Sequence, residues 1–203
     1  VSFMVTQPCA DRALLTDDEA IKALPSEDSS YRRTLLVLAV SDMIARDCLV
    51  LRDGIHFPTL KSEGVSQTFR LKSPSSTLYL GRRFVSAVGS VTVDGNPLDA
   101  AAYECERSQG ALRPADGKWC GVVVVAFTAG LIEIPADLKL AVVRAIQEQA
   151  SATGRDPLLR SETVEGIGRN DYWVSLGGTA GGDDSVLSPG VRAMLSPYRS
   201  LVA

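Results

Sequence analysis

The hydrophobic period of this sequence changes twice, and each change narrows the folds open to it. From about residue 16 to residue 48, apolar side chains recur at helical spacing. From Leu49 to Gly130 they alternate, or cluster in short bursts between turn residues, and from Pro135 the helical spacing returns. Such a chain must build a helical body, leave it for a mostly antiparallel β unit, and come back. The expected class is therefore α+β: a small helical bundle with an inserted antiparallel β unit, a C-terminal hairpin and an extended C-terminal tail. The divisions expected are 1–48 (an extended arm and helices), 49–130 (the β insertion), 131–156 (the helix completing the helical core) and 157–203 (hairpin, Gly-rich linker and tail).

Local signals fill in the outline. Thr16 is a good N-cap and Glu19 completes a capping box, with Pro25 ending the short helix between them. Ser26 is expected to cap a longer helix, with Glu27 and Asp28 in its first turn, where the helix dipole favours acids. That helix carries Leu35, Leu36, Leu38, Ala39, Val40, Met43, Ile44 and Cys48, which is more than one narrow stripe. A helix apolar on two sides usually has neighbours on two sides. Leu36, Val40, Met43 and Ile44 are the candidate subunit-packing residues.

Strands are expected at Phe69–Leu71, Thr77–Leu80, Phe84–Val93, Tyr103–Arg107 and Val122–Phe127, with a turn at Asp94-Gly95. In the third, Val85, Ala87, Val91 and Val93 fall on one face at period two. The last is apolar at every position and reads as a central strand. Pro135 opens the next helix at N1, where its missing N–H costs nothing. Leu138, Ala141, Val142, Ala145, Ile146 and Gln149 share one face of it, and Gly154 and Pro157 end it. A hairpin is expected from Glu162–Gly166 and Tyr172–Leu176 about a Gly168-Arg169-Asn170 turn, followed by a flexible linker at Gly177–Asp184. Ser188 then caps a last helix, with Pro189 at N1.

Catalytic constellations are missing. His56 is the only histidine, so any Ser-His-Asp or Cys-His arrangement would have to use it; between Ile55 and Phe57 it reads as a partly buried, hydrogen-bonded side chain. Gly166-Ile167-Gly168 begins like a dinucleotide fingerprint but has Asp171 where the last glycine belongs. Asp17, Asp18 and Glu19 are explained by capping, and Asp183 and Asp184 by a solvated linker. Arg82-Arg83, at the start of a strand, could contact phosphate but reads rather as a solvated strand end. Cys9, Cys48, Cys105 and Cys120 are scattered and expected to be free thiols, although Cys105 and Cys120 sit on candidate neighbouring strands. No catalytic residue, cofactor or metal ligand is assigned. A net charge of −3 argues against tight, non-specific DNA binding. No apolar run approaches the ~20 residues that span a bilayer, and the first residues lack the pattern of a secretory leader, so the protein is expected to be made and used in a cytoplasm.

One set of words, in one order, carries a resemblance. Val122-Val-Val-Val-Ala-Phe-Thr-Ala-Gly130 is followed closely by Ile134-Pro-Ala-Asp-Leu-Lys-Leu-Ala141. Phe84-Val-Ser-Ala-Val-Gly-Ser-Val-Thr-Val-Asp-Gly95 precedes them, Thr16-Asp-Asp-Glu-Ala-Ile-Lys-Ala-Leu24 opens the helical part, and Met194-Leu-Ser-Pro-Tyr-Arg199 closes the chain. From about Leu15 to Arg199 this order resembles the tailed-bacteriophage head–tail connector (gp6-like adaptor) family. The resemblance implies a structural, non-enzymatic subunit of the virion neck, between capsid and tail, assembled in the host cytoplasm. It further implies a homo-oligomeric ring, of twelve copies by family analogy, beneath the portal protein and above a stopper or tail protein. Genomic DNA would pass through the ring without specific binding, and no membrane would be involved.

A flexible linker followed by Met194, Leu195, Tyr198, Arg199 and Leu201 has the anchors of a tail that orders on the portal; the same residues could instead fold back onto their own domain. Tyr172 and Trp173 are a second candidate contact, or a pair of ordinary packing aromatics. Another neck-ring role, as a stopper or tail-end protein, stays open. So do a carbohydrate- or small-ligand-binding β module, whose aromatic platform would have to come from Phe57, Phe69, Tyr79, Phe84, Tyr103, Trp119 and Phe127, and a hydrolase using His56 or a cysteine.

Overall fold

The structure is a computed structural model, which describes residues 1–25, 27–152, 161–164, 168–171 and 186–200, with backbone alone for 151–152, 161–164 and 168–171. The α+β class holds: the described residues form four α-helices, a five-stranded and a three-stranded antiparallel sheet, and a small hairpin.

The helical body comprises α1 (Asp17–Ala23), α2 (Ser30–Asp47), α3 (Ala136–Ala152) and α4 (Pro189–Leu195). The capping box forms as the sequence requires: Thr16 accepts from the Glu19 N–H, and Glu19 accepts from the Thr16 N–H. The longer helix starts later than expected. Ser29, not Ser26, is its N-cap, accepting from Arg32 N–H; Glu27 stays outside the helix, where it takes the Ser29 N–H and pairs with Arg32. Ser26 itself lies outside the described residues. Pro135 precedes α3, and its carbonyl takes the first helical bond, from Lys139 N–H. Leu138, Ala141, Val142, Ala145 and Ile146 are buried against Val37, Val40, Ile44 and Cys48 of the second helix segment, and against Leu14 and Leu15. Leu187, Val191, Leu195 and Tyr198 close this core from the C-terminal side.

The β body is built around β8 (Trp119–Ala129). It lies between β2 (Glu63–Ser75) and β4 (Val85–Val93), with β1 (Ser2–Gln7) and β5 (Asn96–Pro97) at the edges, in the order β1-β2-β8-β4-β5. The first residues are therefore no free arm: they pair antiparallel with β2, Phe3 opposite Gln67 and Val5 opposite Val65. A second sheet, of β3 (Leu78–Tyr79), β6 (Tyr103–Glu106) and β7 (Ala111–Pro114), contributes Leu78 and Leu112 to the same buried cluster as Val65, Phe69, Val123, Val125 and Phe127.

The expected face of β4 needs correcting. Its register against β8 shifts between Val85 and Ala87 and again between Val88 and Ser90. Each irregularity inserts a residue and flips the alternation, so Val85, Val88, Val91 and Val93 belong to the core while Ala87 pairs with Thr128 on the other face. Cys105 and Cys120 stand in different sheets, on β6 and β8, so they are not on neighbouring strands; all four cysteines are free thiols.

The hairpin exists but turns elsewhere. Its strands are β9 (Ser161–Val164) and β10 (Gly168–Asp171), so the expected turn residues Gly168, Arg169 and Asn170 lie in a strand, opposite Val164, Thr163 and Glu162. Tyr172, Trp173, the Gly177–Asp184 linker and Leu201 lie outside the described residues.

Candidate assembly surfaces

The C-terminal segment is held by charge and hydrogen bonding as well as by packing. The Tyr198 hydroxyl donates to the Asp137 carboxylate in the first turn of α3, at 2.6 and 2.7 Å to its two oxygens. Arg199 Nη2 reaches Asp47 at 2.6 Å, and Arg192 Nε meets the same carboxylate at 3.1 Å. Arg83 comes from the β side and donates Nη1 to the carbonyls of Pro197 (3.0 Å) and Arg199 (2.7 Å), while the Phe84 ring lies 6.2 Å from that of Tyr198. The described tail residues, 194–199, lie against their own domain. Leu195 and Tyr198 are buried in their own domain, Met194 is half-buried against it, and Arg199 is ion-paired. Only Ser196 and Pro197 are exposed in that turn.

These contacts perturb the ionisable groups in a consistent sense. The Tyr198 hydroxyl bond holds the Asp137 carboxyl below its ordinary range. Burial first, and then that carboxylate, push the Tyr198 phenol up. Burial also pushes the Cys48 thiol up to about 12, with the Asp47 charge adding and Arg199 opposing. Cys48 is thus an inert core thiol, not a nucleophile.

Arg82 corrects the expectation of a solvated strand end. Its side chain is 4% exposed, paired at 2.7 Å with Glu63, which is 2% exposed. Arg82 also donates to the Thr59 carbonyl, and its guanidinium lies 5.7 Å from the Phe3 ring. Glu63 accepts in addition from Cys9 N–H at 3.1 Å, and Gln67 accepts from Gly81 N–H at 2.8 Å. Burial lowers the Arg82 pKa and the Glu63 charge opposes that shift. A phosphate contact needs a cation facing solvent; this one is spent joining β1, β2 and the segment before β4. Gly130 passes close by, at φ +110°, with the Lys61 carbonyl where a Cβ would stand.

Asp53 organises the loop that contains His56. One carboxylate oxygen accepts from Ile55 N–H (2.9 Å) and His56 N–H (2.8 Å); the other accepts from Val5 N–H (3.1 Å) and lies 2.9 Å from His56 Nδ1. Burial favours protonation of Asp53, but these hydrogen bonds outweigh it and hold its pKa well below the ordinary value. His56 is thereby a hydrogen-bonded structural residue, as its setting in the sequence suggested. The loop presents Ile55, 81% exposed, and Phe57, whose ring lies 4.5 Å from the Arg12 guanidinium.

The candidate subunit-packing residues divide. Val40 and Ile44 are fully buried, and Leu36 and Met43 are half-buried against the same core; they complete their own helical body. The outward stripe of α2 is instead Tyr31 (74% exposed), Leu35 (53%) and Ala39, with Leu38 half-buried beside them. Tyr31, Leu35 and Ala39 follow one another at four-residue spacing, which places them on one helix face. The signal was present in the sequence: α2 has more apolar positions than one core face can take.

Among the described residues, the central strand contributes one side only to a core. Val123, Val125, Phe127 and Ala129 are buried, whereas Val122, Val124, Ala126 and Thr128 are half-buried and belong to neither core cluster. On this outer face Met4, Ser66, Ala126 and Ser90 stand side by side across the strands, as do Ser2, Thr68, Val124 and Thr92.

No group of three or more His, Cys, Asp or Glu with metal-holding geometry occurs among the described residues, and no described helix is long and apolar enough to cross a membrane. The aromatics do not assemble a ligand platform: Phe69, Trp119 and Phe127 are core, Phe84 and Tyr103 are half-buried, and exposed Phe57 and Tyr79 stand on separate segments. An open groove of about 310 Å³ lies between Leu98, Pro114, Lys118 and Cys120, without convergent catalytic groups.

No family model and no curated protein matches the sequence. Solved structures do share the fold. A chain in the "neck of empty GTA particle computed with C6 symmetry" matches with TM-score 0.57 at 16% identity, over 98% of this chain and 97% of that one. A chain in the "virion of native gene transfer agent (GTA) particle" matches with TM-score 0.57 at 16% identity, over 100% and 97%. A chain in the "neck of native GTA particle computed with C12 symmetry" gives TM-score 0.51 at 16% identity, over 98% and 97%. At this identity the likeness is one of fold, and it runs end to end in both partners.

Proposed function

We propose that the chain is a structural, non-enzymatic subunit of the neck of a tailed phage or phage-like particle. It acts there as an adaptor: copies form a ring below the portal, twelve by analogy, that continues the DNA channel and joins head to tail. The observation that carries this reading is the fold shared over the full length with chains in gene transfer agent necks and virions. Two features of the chain fit it. In this reading the work of the chain is done by its surfaces, and the single histidine, His56, is engaged by the Asp53 carboxylate. The acidic balance of the chain, −3, suits a channel that lets DNA pass without holding it. Of the tail residues, Ser196 and Pro197 remain exposed beside half-buried Met194, and this turn is where a portal would meet the folded-back tail.

The test is to purify particles of the phage that encodes the chain, identify their proteins by mass spectrometry, and locate this one by cryo-electron microscopy. The expected result is a ring directly beneath the portal. Its absence from infectious particles would refute the proposal, and a position further down the neck would assign it to a stopper or tail-end role.

A further inference from the structure

Arg82 and Arg83 are neighbours with different acceptors. Arg82 is paired with the Glu63 carboxylate, whereas Arg83 donates to three main-chain carbonyls. Its Nε reaches Ser108 at 3.2 Å, in the 107–110 turn between β6 and β7. Its Nη1 reaches Pro197 at 3.0 Å and Arg199 at 2.7 Å, in the C-terminal turn. One planar group thus spans two turns that belong to different bodies. Each turn also carries a hydrogen-bonded amide of its own. Gly110 N–H donates to the Glu106 carbonyl at 2.9 Å, and Ser200 N–H to the Cys48 carbonyl at 2.8 Å. The first turn sits tightly on the strand that bears Arg83. Val85 N–H donates to the Arg107 carbonyl at 2.9 Å, and at Gly110, with φ +67°, the Arg82 carbonyl stands where a Cβ would be.

We propose that Arg83 couples the C-terminal turn to the 107–110 turn, so that a change of order in either is felt in the other. The two turns share one cost. Fixing an arginine side chain takes more rotamer entropy than fixing most others, and here three hydrogen bonds divide that cost. When the C-terminal turn moves and its two bonds break, the Ser108 bond must hold the side chain alone, and it weakens with them. The effect runs equally in reverse, because coupling between two sites is reciprocal. All three acceptors are main-chain oxygens, so Arg83 responds to where the turns lie, whatever side chains they carry. A partner that displaced the exposed Ser196 and Pro197 would therefore loosen the 107–110 turn on the other body. This coupling is a property of the chain alone and holds whether or not the chain is a neck subunit.

The test is a double-mutant cycle on the full chain, read by amide hydrogen exchange at Gly110. Tyr198→Phe removes the bond to Asp137 and so loosens the C-terminal turn, yet it keeps the ring against Phe84 and leaves that packing in place. Arg83→Met removes the shared donor. With Arg83 present, Tyr198→Phe is expected to quicken exchange at Gly110 by about threefold or more. In the Arg83→Met background the same change should leave Gly110 exchange where Arg83→Met alone puts it. Circular dichroism melts check that each variant folds; Arg83→Lys replaces Arg83→Met, and Pro197→Gly replaces Tyr198→Phe, if either does not. Unchanged Gly110 exchange in Tyr198→Phe would overturn the coupling. So would an equal quickening with and without Arg83, which is what a purely local role for this side chain predicts. The presence or absence of the chain in particles bears on the neck reading alone.

Discussion

The Tyr198 hydroxyl and the Asp137 carboxylate, 61 positions apart, meet at 2.6 Å. This bond fastens the last described turn of the chain to the first turn of α3. It explains why the C-terminal segment is part of the fold. A phenol there satisfies an N-terminal acid, and its ring fills the gap between α3 and Phe84.

Replacing Tyr198 with Phe keeps the ring and removes the bond. Amide exchange across Pro189–Ser200 should then quicken by about tenfold, without loss of the β body. The pH dependence follows from the two shifts. Asp137 is lowered in the fold, so its contribution is present above the ordinary carboxylate value and lost as pH falls through the folded one. Tyr198 is raised, so its contribution is present below the ordinary phenol value and lost as pH rises. Exchange protection of this segment should therefore be flat between about pH 5 and 9 and fall on both sides, and the Phe variant should lack the alkaline limb.

Cutting the chain before Leu187 should unfold the helical body. Leu187, Val191, Leu195 and Tyr198 are all buried, at about 1.5–3 kcal/mol each, against a total stability of about 5–15 kcal/mol. Leu195→Ala alone should cost about 3 kcal/mol in a denaturant melt. A truncation is consequently a poor probe of portal docking. Pro197→Glu, on the exposed turn, tests docking while leaving the core intact, and its thermal midpoint should match that of wild type.

The Arg82–Glu63 pair should show the asymmetry of buried charge. Glu63→Gln leaves a buried guanidinium uncompensated and should cost about 3–5 kcal/mol. Changing both to Leu and Met should recover most of that loss. If chemical denaturation gave equal losses for the single and double changes, the pair would not be the origin of the effect.

Asp53→Ala should release the 53–57 loop and expose the Val5 N–H, seen as faster exchange at Val5, Ile55 and His56 together. In the wild type the depressed Asp53 pKa keeps this grip intact through pH 4, and it should fail only as pH falls below the ordinary carboxylate range.

Much of the fold was legible where one side chain answers to one neighbour. Thr16 and Glu19 form their capping box, and Ser188 and Pro189 open α4 as their types require. Legibility ended where pairing is long-range. Nothing local tells Ser2–Gln7 that it will be an edge strand, because its partner lies some sixty residues on. The irregularities in β4 move Ala87 out of the core although the period-two pattern keeps it in. Arg82 looked solvated because Glu63, its partner, lies on β2, nineteen residues earlier. The assembly surfaces were half visible. The surplus apolar positions of α2 and the unbroken Val122–Phe127 run exceed what one core face takes, but periodicity alone could not say which members, Val40 or Leu35, Val123 or Val124, would stay outside the core.

Closure of the helical core by residues as late as Tyr198 sets an order on synthesis. A nascent chain stalled anywhere before α4 can complete its sheets but not its helices, so the seam where Arg83 grips the Pro197 and Arg199 carbonyls stays open. Such a fragment presents raw core to proteases and lacks the fixed relation between its two bodies. The connectivity thus makes completion of the helical core wait for Leu187, Val191, Leu195 and Tyr198.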